Sequence, residues 1–281
     1  MEALQAELLR VARPIQQTLL PQELPQLANW HVDAYYQPAR AVGGDFYDFI
    51  YFADGRIAFI VADVTDKGVP AALVTATTRS ILRAAAKRLE SPGAVLERTN
   101  NVLVKEIPPK MFVTCFVALL NSQTGHLRYA NAGHDVPYHW TPNGVQELRA
   151  TGMPLGSMAG MAYEEKETTL AADDYFLLYS DGLVEAHAPD REMFGFPRLQ
   201  ALLTDHENGR SLNTFLLDQL AAFTGPNWEQ EDDVTLVTIQ RLATVPEPVE
   251  ETIANLTFKV PSARGNERQA MERVAEIVAN L

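Results

Sequence analysis

Four strongly apolar segments of the chain each begin or end at an aspartate. Asp45 precedes FYDFIYF, Asp63 ends IAFIVAD, Asp181 follows YFLLYS, and the pair Asp232 and Asp233 precedes VTLVTI. Such segments are typical of buried β-strands, and a carboxylate at the edge of a buried strand is unfavourable unless it is paired or bound to a cation. Turn capping explains any single one of them. Together they indicate a shared site, whose oxygen ligands suit Mg²⁺ or Mn²⁺ rather than zinc.

The order of the predicted elements indicates an α+β fold. Residues 31–63 contain strand-like segments joined by turns, and predicted helices follow at 69–90 and 92–106. More strand-like segments occupy residues 111–150, and a helical stretch at 197–222 precedes the last strand. Because the strands are grouped on either side of a helical pair and joined by hairpin turns, we expect antiparallel sheets flanked by helices rather than a βαβ array.

The chain divides by pattern into a helix, a main domain and a tail. Apolar residues recur at helical spacing near the start, which predicts an amphipathic linker helix within residues 1–22. The main domain is assigned to residues 23–242, and the run ATVPEPVE at 243–250 predicts a linker. Residues 251–281 contain one strand-like and one helix-like piece, which is too little for an independent core.

The composition excludes several classes of function. A net charge of -13 and a pI near 4.9 argue against a nucleic-acid-binding protein, which needs a concentrated basic face. No segment approaches the roughly 18 uninterrupted apolar residues of a membrane span, and the N-terminus lacks the apolar core of a secretory signal. The single cysteine, Cys115, lies in an apolar strand pattern, which predicts a buried structural thiol rather than a nucleophile. We therefore expect a cytoplasmic protein.

Seven segments occur together in the order and spacing of the SpoIIE-type branch of the metal-dependent protein phosphatase family (PPM, similar to protein phosphatase 2C). They are PARAVGGDFYDF, ADVTDKGVPAALVTA, MFVTCFVALL, LRYANAGHDVPY, GMPLG, FLLYSDGLVEA and DDVTLV. The chain resembles this family over about residues 10–242. The resemblance implies a PPM-type sandwich of two antiparallel β-sheets with helices outside, and the activity of a metal-dependent serine/threonine protein phosphatase.

The resemblance also implies a centre of two divalent cations, Mn²⁺ or Mg²⁺, at one edge of the sandwich. Asp63 resembles the aspartate that bridges both metals, with the backbone carbonyl of Val64 as a further ligand, and Asp45 resembles a ligand of one metal. The residues similar to ligands of the other metal are Asp181, Asp232 and, less closely, Asp233. Two cations about 4 Å apart lower the pKa of a bridging water, which then attacks phosphorus in line.

Other positions depart from the wider family. Animal-type relatives place a histidine beside the bridging aspartate as a proton donor, whereas this chain has DVTDKG, in which Asp66 and Lys67 are the candidates. His134 falls where those relatives hold an aspartate of a third metal, so a third metal is not expected, and His134 is a candidate for a structural hydrogen bond or for phosphate binding. Arg40 matches a phosphate-binding arginine, and an exposed turn arginine is the alternative.

SpoIIE-type phosphatases are bacterial, and the resemblance implies a phosphorylated STAS-domain anti-anti-sigma protein as substrate in a partner-switching pathway that releases a sigma factor. The tail at 251–281 looks like the opening strand and helix of an anti-sigma kinase of the histidine-kinase-like ATPase superfamily. We therefore expect a piece of a longer phosphatase–kinase protein, without kinase activity of its own. The first helix is expected to connect to an upstream sensor and to form a homodimer. Its rotation or dimerisation would move the helices at 69–106 and so place Asp45 relative to Asp63.

Two other functions stay open from the residues. Gly-Gly-Asp at a turn is also found in nucleotide second-messenger enzymes of the diguanylate cyclase type, but those continue with Glu-Phe where this chain has Phe46 and Tyr47. The later Ser-Asp-Gly and Asp-Asp-Val-Thr motifs would also be unexplained in such an enzyme. A catalytically inactive binding module with the PPM fold is the second alternative, against which the complete set of acidic positions argues.

Overall fold

The structure is a computed structural model, and it describes residues 12–89, 91–206, 210–226 and 228–243. The chain divides into two compact units at residues 1–244 and 245–281. Beyond residue 243, the predicted linker and the predicted kinase-like segment lie outside the described residues, as do residues 1–11 of the predicted first helix.

The described residues contain ten β-strands in two sheets of five. In chain order they are β1 Trp30–Gln37, β2 Phe46–Tyr51, β3 Arg56–Val64, β4 Val113–Asn121, β5 His126–Ala132, β6 Tyr138–Thr141, β7 Gly144–Glu147, β8 Glu165–Thr169, β9 Tyr175–Tyr179 and β10 Val234–Arg241. The first sheet has the order β1-β10-β9-β6-β7 and the second β2-β3-β4-β5-β8. All neighbouring strands are antiparallel, which confirms the predicted fold class.

Six helices lie in the described part of the chain. They are α1 at residues 12–19, α2 Val69–Ala86, α3 Pro92–Glu106, α4 Asp181–Val184, α5 Gly195–Thr204 and α6 Leu212–Thr224. The helix α3 begins as its sequence predicts, because the Ser91 hydroxyl accepts the Ala94 N–H at 3.2 Å and Pro92 occupies the first turn. None of the described helices has both the length and the apolar character needed to cross a membrane.

Three apolar clusters fill the spaces between the layers of the described residues. The strand β3 shows how: Ile57 and Phe59 face the cluster between the two sheets, whereas Ala58 and Ile60 face the cluster beneath α2 and α3. Because both faces of this strand are buried, its sequence is a continuous apolar run rather than an alternating one. The third cluster packs α4, α5 and α6 on the other sheet. The result is a four-layer arrangement of helices, sheet, sheet and helices.

The structure corrects the predicted elements in two places. The single helical stretch predicted at 197–222 is two helices, because the Ser211 hydroxyl accepts the Thr214 N–H at 3.2 Å and starts α6 anew. The strand β8 was missed: its sequence EKETT lies at the edge of its sheet and is largely exposed, so it lacks the apolar signal on which strand prediction depends.

Candidate functional site

The topology brings the acidic strand ends to one end of the sandwich. Asp45 precedes β2 and Asp63 lies at the end of β3, its antiparallel neighbour, so both lie at the same edge of one sheet. In the other sheet Asp181 follows β9, and Asp232 and Asp233 precede the neighbouring β10. A hydrogen bond of 3.1 Å from the Asp45 N–H to Oδ2 of Asp233 joins the two sheets at this point. The predicted convergence of the aspartates is therefore observed.

A cavity of about 210 Å³ opens between these strand ends. The residues that line it include Arg40, Gly44, Asp63, Val64, Asp66, Lys67, Asp181, Asp232 and Asp233. Asp45 is buried beside this cavity at 2% exposure, and its Oδ2 accepts a hydrogen bond of 2.5 Å from the Thr235 hydroxyl. Every predicted metal ligand thus lies in the cavity wall or directly next to it.

Glycines allow the close approach of the backbones around the cavity. A Cβ on Gly44 would lie 2.6 Å from the Val64 carbonyl oxygen and 3.2 Å from Oδ1 of Asp63. A Cβ on Gly182 would collide with the carbonyl oxygen of Asp233. The Gly-Gly-Asp and Ser-Asp-Gly motifs therefore combine a carboxylate with a neighbour that has no side chain, which lets four strand ends pack around one small space.

Burial and mutual repulsion make these carboxyl groups hard to ionise. Burial is the largest cause that raises the pKa of Asp181 from 3.8 to about 8, and repulsion from Asp63 and Asp232 adds to it. Burial likewise raises the pKa of Asp63 to about 6. The pKa of Asp45 is raised well above its ordinary value by burial and by the charges of Asp63 and Asp233. Raised pKa values of this kind mark a place where a cation would bind favourably.

Asp232 and Asp233, like Asp45, already have partners within the protein. Asp232 forms an ion pair of 2.9 Å with Lys67, whose ammonium also donates to the Glu231 carbonyl at 2.6 Å. The Asp233 carboxylate accepts the Ala39 N–H at 2.8 Å in addition to the Asp45 N–H, so it supports the turn that precedes β2. In the part of the chain that the structure describes, no three acidic, His or Cys side chains form a ready-made ligand set for a single ion.

The donor set nevertheless fits hard divalent cations. It consists of carboxylate oxygens and the Val64 carbonyl, which Mg²⁺ and Mn²⁺ prefer, and it contains neither a histidine nor a thiolate at the cavity wall. A single ammonium, that of Lys67, lies among at least four carboxyl groups there. Cation binding would require Asp232 to exchange its contact with Lys67 for a contact with the ion. The chemistry of the residues therefore agrees with the predicted metal centre.

His134 has a structural position. Its Nε2 lies 3.0 Å from the Tyr179 carbonyl oxygen at the end of β9, and its Nδ1 lies 2.8 Å from the Thr114 hydroxyl. Burial lowers the pKa of His134 to about 4, so the ring is neutral. With Nε2–H donating to the carbonyl, Nδ1 accepts from the threonine. Of the two roles considered for His134, the contacts give the structural one, because no ring nitrogen is left for a phosphate.

Arg40 lies at the junction of two cavities. It lines the acidic cavity and also a larger one of about 570 Å³, which His187, Arg191, Trp228 and Glu229 border. Arg40 is exposed, and within the described ranges its guanidinium makes no ion pair or hydrogen bond. Lys67 and Asp66, the candidates for proton transfer, also line the smaller cavity. The backbone of Asp66 has a φ of 78°, which non-glycine residues adopt rarely.

Sequence reasoning missed two acidic residues near the cavity. Burial and the charges of Glu185 and Asp63 raise the pKa of Asp135 to about 6. One carboxylate oxygen of Asp135 is buried and has no hydrogen-bond partner among the described residues. Glu185 also contributes to the raised pKa of Asp181. Asp135 could have been noticed in the sequence because it directly follows His134 within the LRYANAGHDVPY segment.

Comparison with known proteins agrees with this geometry. The family described as stage II sporulation protein E (SpoIIE) matches residues 53–242. Protein IcfG of Synechocystis sp. (strain ATCC 27184 / PCC 6803 / Kazusa) is 29% identical over 83% of this chain and 41% of IcfG. Phosphoserine phosphatase RsbU of Bacillus subtilis (strain 168) is 29% identical over 83% of this chain and 70% of RsbU. The solved SiaA-PP2C domain of Pseudomonas aeruginosa is 28% identical, with a TM-score of 0.74 over 85% of this chain and 98% of that domain.

These matches differ in how much of each relative they cover. The chain spans less than half the length of IcfG but nearly all of the SiaA-PP2C domain. The family match covers residues 53–242, which contain all the predicted metal ligands except Asp45. The family match gives no support to the alternative of a nucleotide second-messenger enzyme, which rested on the Gly-Gly-Asp turn. The chain belongs to the SpoIIE family.

Proposed function

We propose that this protein is a metal-dependent phosphatase of phosphoserine or phosphothreonine in proteins. The observation that carries the proposal is the convergence of carboxyl groups from both sheets on one cavity of about 210 Å³, which Arg40 also lines. The family membership and the name of RsbU, a phosphoserine phosphatase, support it. The raised pKa values of Asp63 and Asp181 support a site that favours added positive charge.

The residues assigned to the metal centre are those that line the cavity or lie beside it. They are Asp45, Asp63, the Val64 carbonyl, Asp181 and Asp232, with Asp233 as a support of the preceding turn. Two Mn²⁺ or Mg²⁺ ions bound there would supply a water of lowered pKa and neutralise charge on the phosphoryl oxygens. The protein holds these ligands on the rigid ends of four strands, which limits the reorganisation needed during the reaction.

The remaining residues of the site bind and orient the phosphoryl group. Arg40 lines both the small and the large cavity, and among the described residues its guanidinium has no ion pair, which suits a phosphate dianion entering from the larger side. Lys67, on the loop after β3, lines the same small cavity and can turn from Asp232 to a phosphate oxygen or to the leaving alkoxide. Neither Cys115, which is fully buried, nor His134, whose ring is occupied, can act as a nucleophile here.

The substrate is proposed to be a phosphorylated STAS-domain anti-anti-sigma protein. The SpoIIE family and the likeness to RsbU support this choice. The cavity of about 570 Å³ beside Arg40 gives a folded protein substrate a surface on which the residues next to its phosphoserine can lie. The reaction would act within a partner-switching pathway, where the dephosphorylated protein captures an anti-sigma kinase.

The ends of the chain carry the regulatory part of the proposal. The first helix is proposed to connect the phosphatase domain to an upstream sensor and to form a homodimer. Residues 251–281 are proposed to be the start of a kinase-like ATPase domain. The acidic composition and the single buried thiol of Cys115 support a cytoplasmic location.

The direct test is phosphate release from a phosphoserine-bearing STAS protein in Mn²⁺, Mg²⁺ or EDTA. Asp63→Asn and Asp181→Asn should abolish metal-dependent release, because each removes a charged ligand without changing side-chain volume. Asp54→Asn is the matched control: Asp54 is exposed in the turn at the opposite end of the β2–β3 hairpin. Release that survives EDTA and both substitutions would contradict the proposal. Binding of metal and STAS protein without release would instead favour the inactive binding module.

A further inference from the structure

The helix α1 contains a buried polar residue among exposed ones. Gln16 is 7% exposed, whereas its neighbours Ile15 and Gln17 lie on the exposed side of the helix. A buried amide needs hydrogen-bond partners to offset the loss of water. Gln16 finds both of them on one residue 27 positions away in the chain, Gly43.

The Gln16 amide binds both backbone groups of Gly43. Its Nε2 donates to the Gly43 carbonyl oxygen at 2.6 Å, and its Oε1 accepts the Gly43 N–H at 3.0 Å. This paired contact fixes the peptide planes on both sides of Gly43. Asp45, an assigned metal ligand, is only two residues further along, so the position of its backbone depends on the same turn.

Other contacts hold the turn on different sides. Oδ2 of Asp233 accepts the Asp45 N–H, and a Cβ on Gly43 would collide with that carboxylate. The Thr75 hydroxyl of α2 donates to the Gly44 carbonyl at 2.8 Å. The turn is thus held by Asp233 directly before β10, by α2 and, through Gln16, by α1. Each of these elements fixes a different backbone group of the Gly-Gly-Asp segment.

The contact through Gln16 is the polar link between α1 and the turn. Within the described ranges, no other side chain of α1 forms a hydrogen bond with residues 39–45. A cavity of about 400 Å³ lies beside this contact, bordered by Arg13 and Gln16 on one side and by Tyr36 on the other.

We propose that Gln16 is a positioning residue for the metal centre: its amide sets the Gly43–Gly44–Asp45 turn and so fixes the backbone that presents the Asp45 carboxylate. The Mn²⁺ readout of the test rests on the proposed function, but the hydrogen-exchange readout does not. Gln16 does not line the acidic cavity, and its amide forms its hydrogen bonds with the backbone of Gly43.

The test compares Gln16→Met with the matched control Gln17→Met, which makes the same change one position along on the exposed side of α1. Methionine keeps the length and helix preference of glutamine and removes both hydrogen bonds. In metal-free protein, amide hydrogen exchange at Gly43 and Asp45 should speed up by about tenfold or more in Gln16→Met, since each lost buried hydrogen bond is worth roughly a tenfold change. Exchange in β5 should stay unchanged, and Gln17→Met should match wild type throughout.

A second readout is the Mn²⁺ concentration that half-saturates the protein, measured by calorimetry, which should rise by about tenfold in Gln16→Met. Unchanged exchange at Asp45, or an equal effect in Gln17→Met, would overturn the positioning role. Loss of protection spread evenly over the domain would overturn it too, because it would show general packing. If wild type releases no phosphate but the exchange effect is present, the proposed function fails and the positioning role stands.

Discussion

Replacing Asp181 with asparagine should stabilise the metal-free protein. The Asp181 carboxyl makes no hydrogen bond within the part of the chain described, so the substitution breaks no such contact there. Burial and the charges of Asp63 and Asp232 raise its pKa from 3.8 to about 8. At neutral pH the folded protein therefore keeps this carboxyl protonated, while the unfolded chain ionises it. Folding carries the free-energy cost of that protonation, and asparagine removes it.

The size of the effect follows from the pKa difference. One pH unit corresponds to about 1.4 kcal/mol, so the interval between 3.8 and pH 7 sets an upper bound of about 4 kcal/mol. Water access at the cavity mouth and coupling to Asp63 reduce this to about 2 kcal/mol in the free energy of unfolding. For a domain of this size, that corresponds to a melting temperature higher by about 4 to 8 °C.

The stabilisation by Asp181→Asn should also depend on pH. Because the folded-state pKa is raised, wild type loses stability from this group as the pH rises from 3.8 towards 8. The difference in melting temperature between Asp181→Asn and wild type should therefore be near zero at pH 4 and grow up to pH 8, measured in EDTA. Asp48→Asn is the contrasting variant, since its buried carboxylate bonds Arg83 at 2.6 and 2.7 Å.

The same chemical change should have opposite signs at the two positions. Asp48→Asn should lower the free energy of unfolding by about 2 kcal/mol, because it weakens the pairing with a partly exposed arginine. A melting temperature of Asp181→Asn that equals or falls below wild type in EDTA across pH 4 to 8 would refute the account of repelling, buried carboxyl groups.

Three further predictions concern the neighbourhood of the site. Lys67→Met should lower the melting temperature in EDTA and enlarge the increase that Mn²⁺ produces, because Asp232 loses its counter-charge; equal Mn²⁺-induced shifts in both proteins would argue against this. Gly182→Ala should cost about 1–3 kcal/mol in denaturant unfolding, because its Cβ meets the Asp233 carbonyl; an unchanged midpoint would contradict that contact. Cys115→Ala should lose about 1 kcal/mol of stability yet retain phosphate release, and abolished release with an intact fold would implicate the thiol.

Much of the site could be predicted because it depends on strand ends. Neighbouring antiparallel strands place the start of one beside the end of the next, so Asp45 and Asp63 share an edge once β2 and β3 pair. The same holds for Asp181 and Asp232 at β9 and β10. The apolar run of β3 also predicted a buried strand, and the structure buries it on both faces.

The remaining features depend on contacts between distant residues. Gln16 and Gly43 are ordinary in their local sequence, and only the packing of α1 brings them together. Asp135 follows a motif histidine, but nothing local shows that one of its carboxylate oxygens is buried without a hydrogen-bond partner among the described residues. The edge strand β8 has a polar sequence because one side of it is solvated, so its pairing with β5 carries no apolar signal.

The central claim is that the strand ends carrying Asp45, Asp63, Asp181 and Asp232 hold divalent cations. A calorimetric titration of the protein with Mn²⁺ tests this claim most directly. We predict saturable binding of two ions per chain in wild type and in Asp54→Asn, with loss of at least one ion in Asp63→Asn. No saturable binding in wild type, or the same stoichiometry and affinity in Asp63→Asn, would contradict the account.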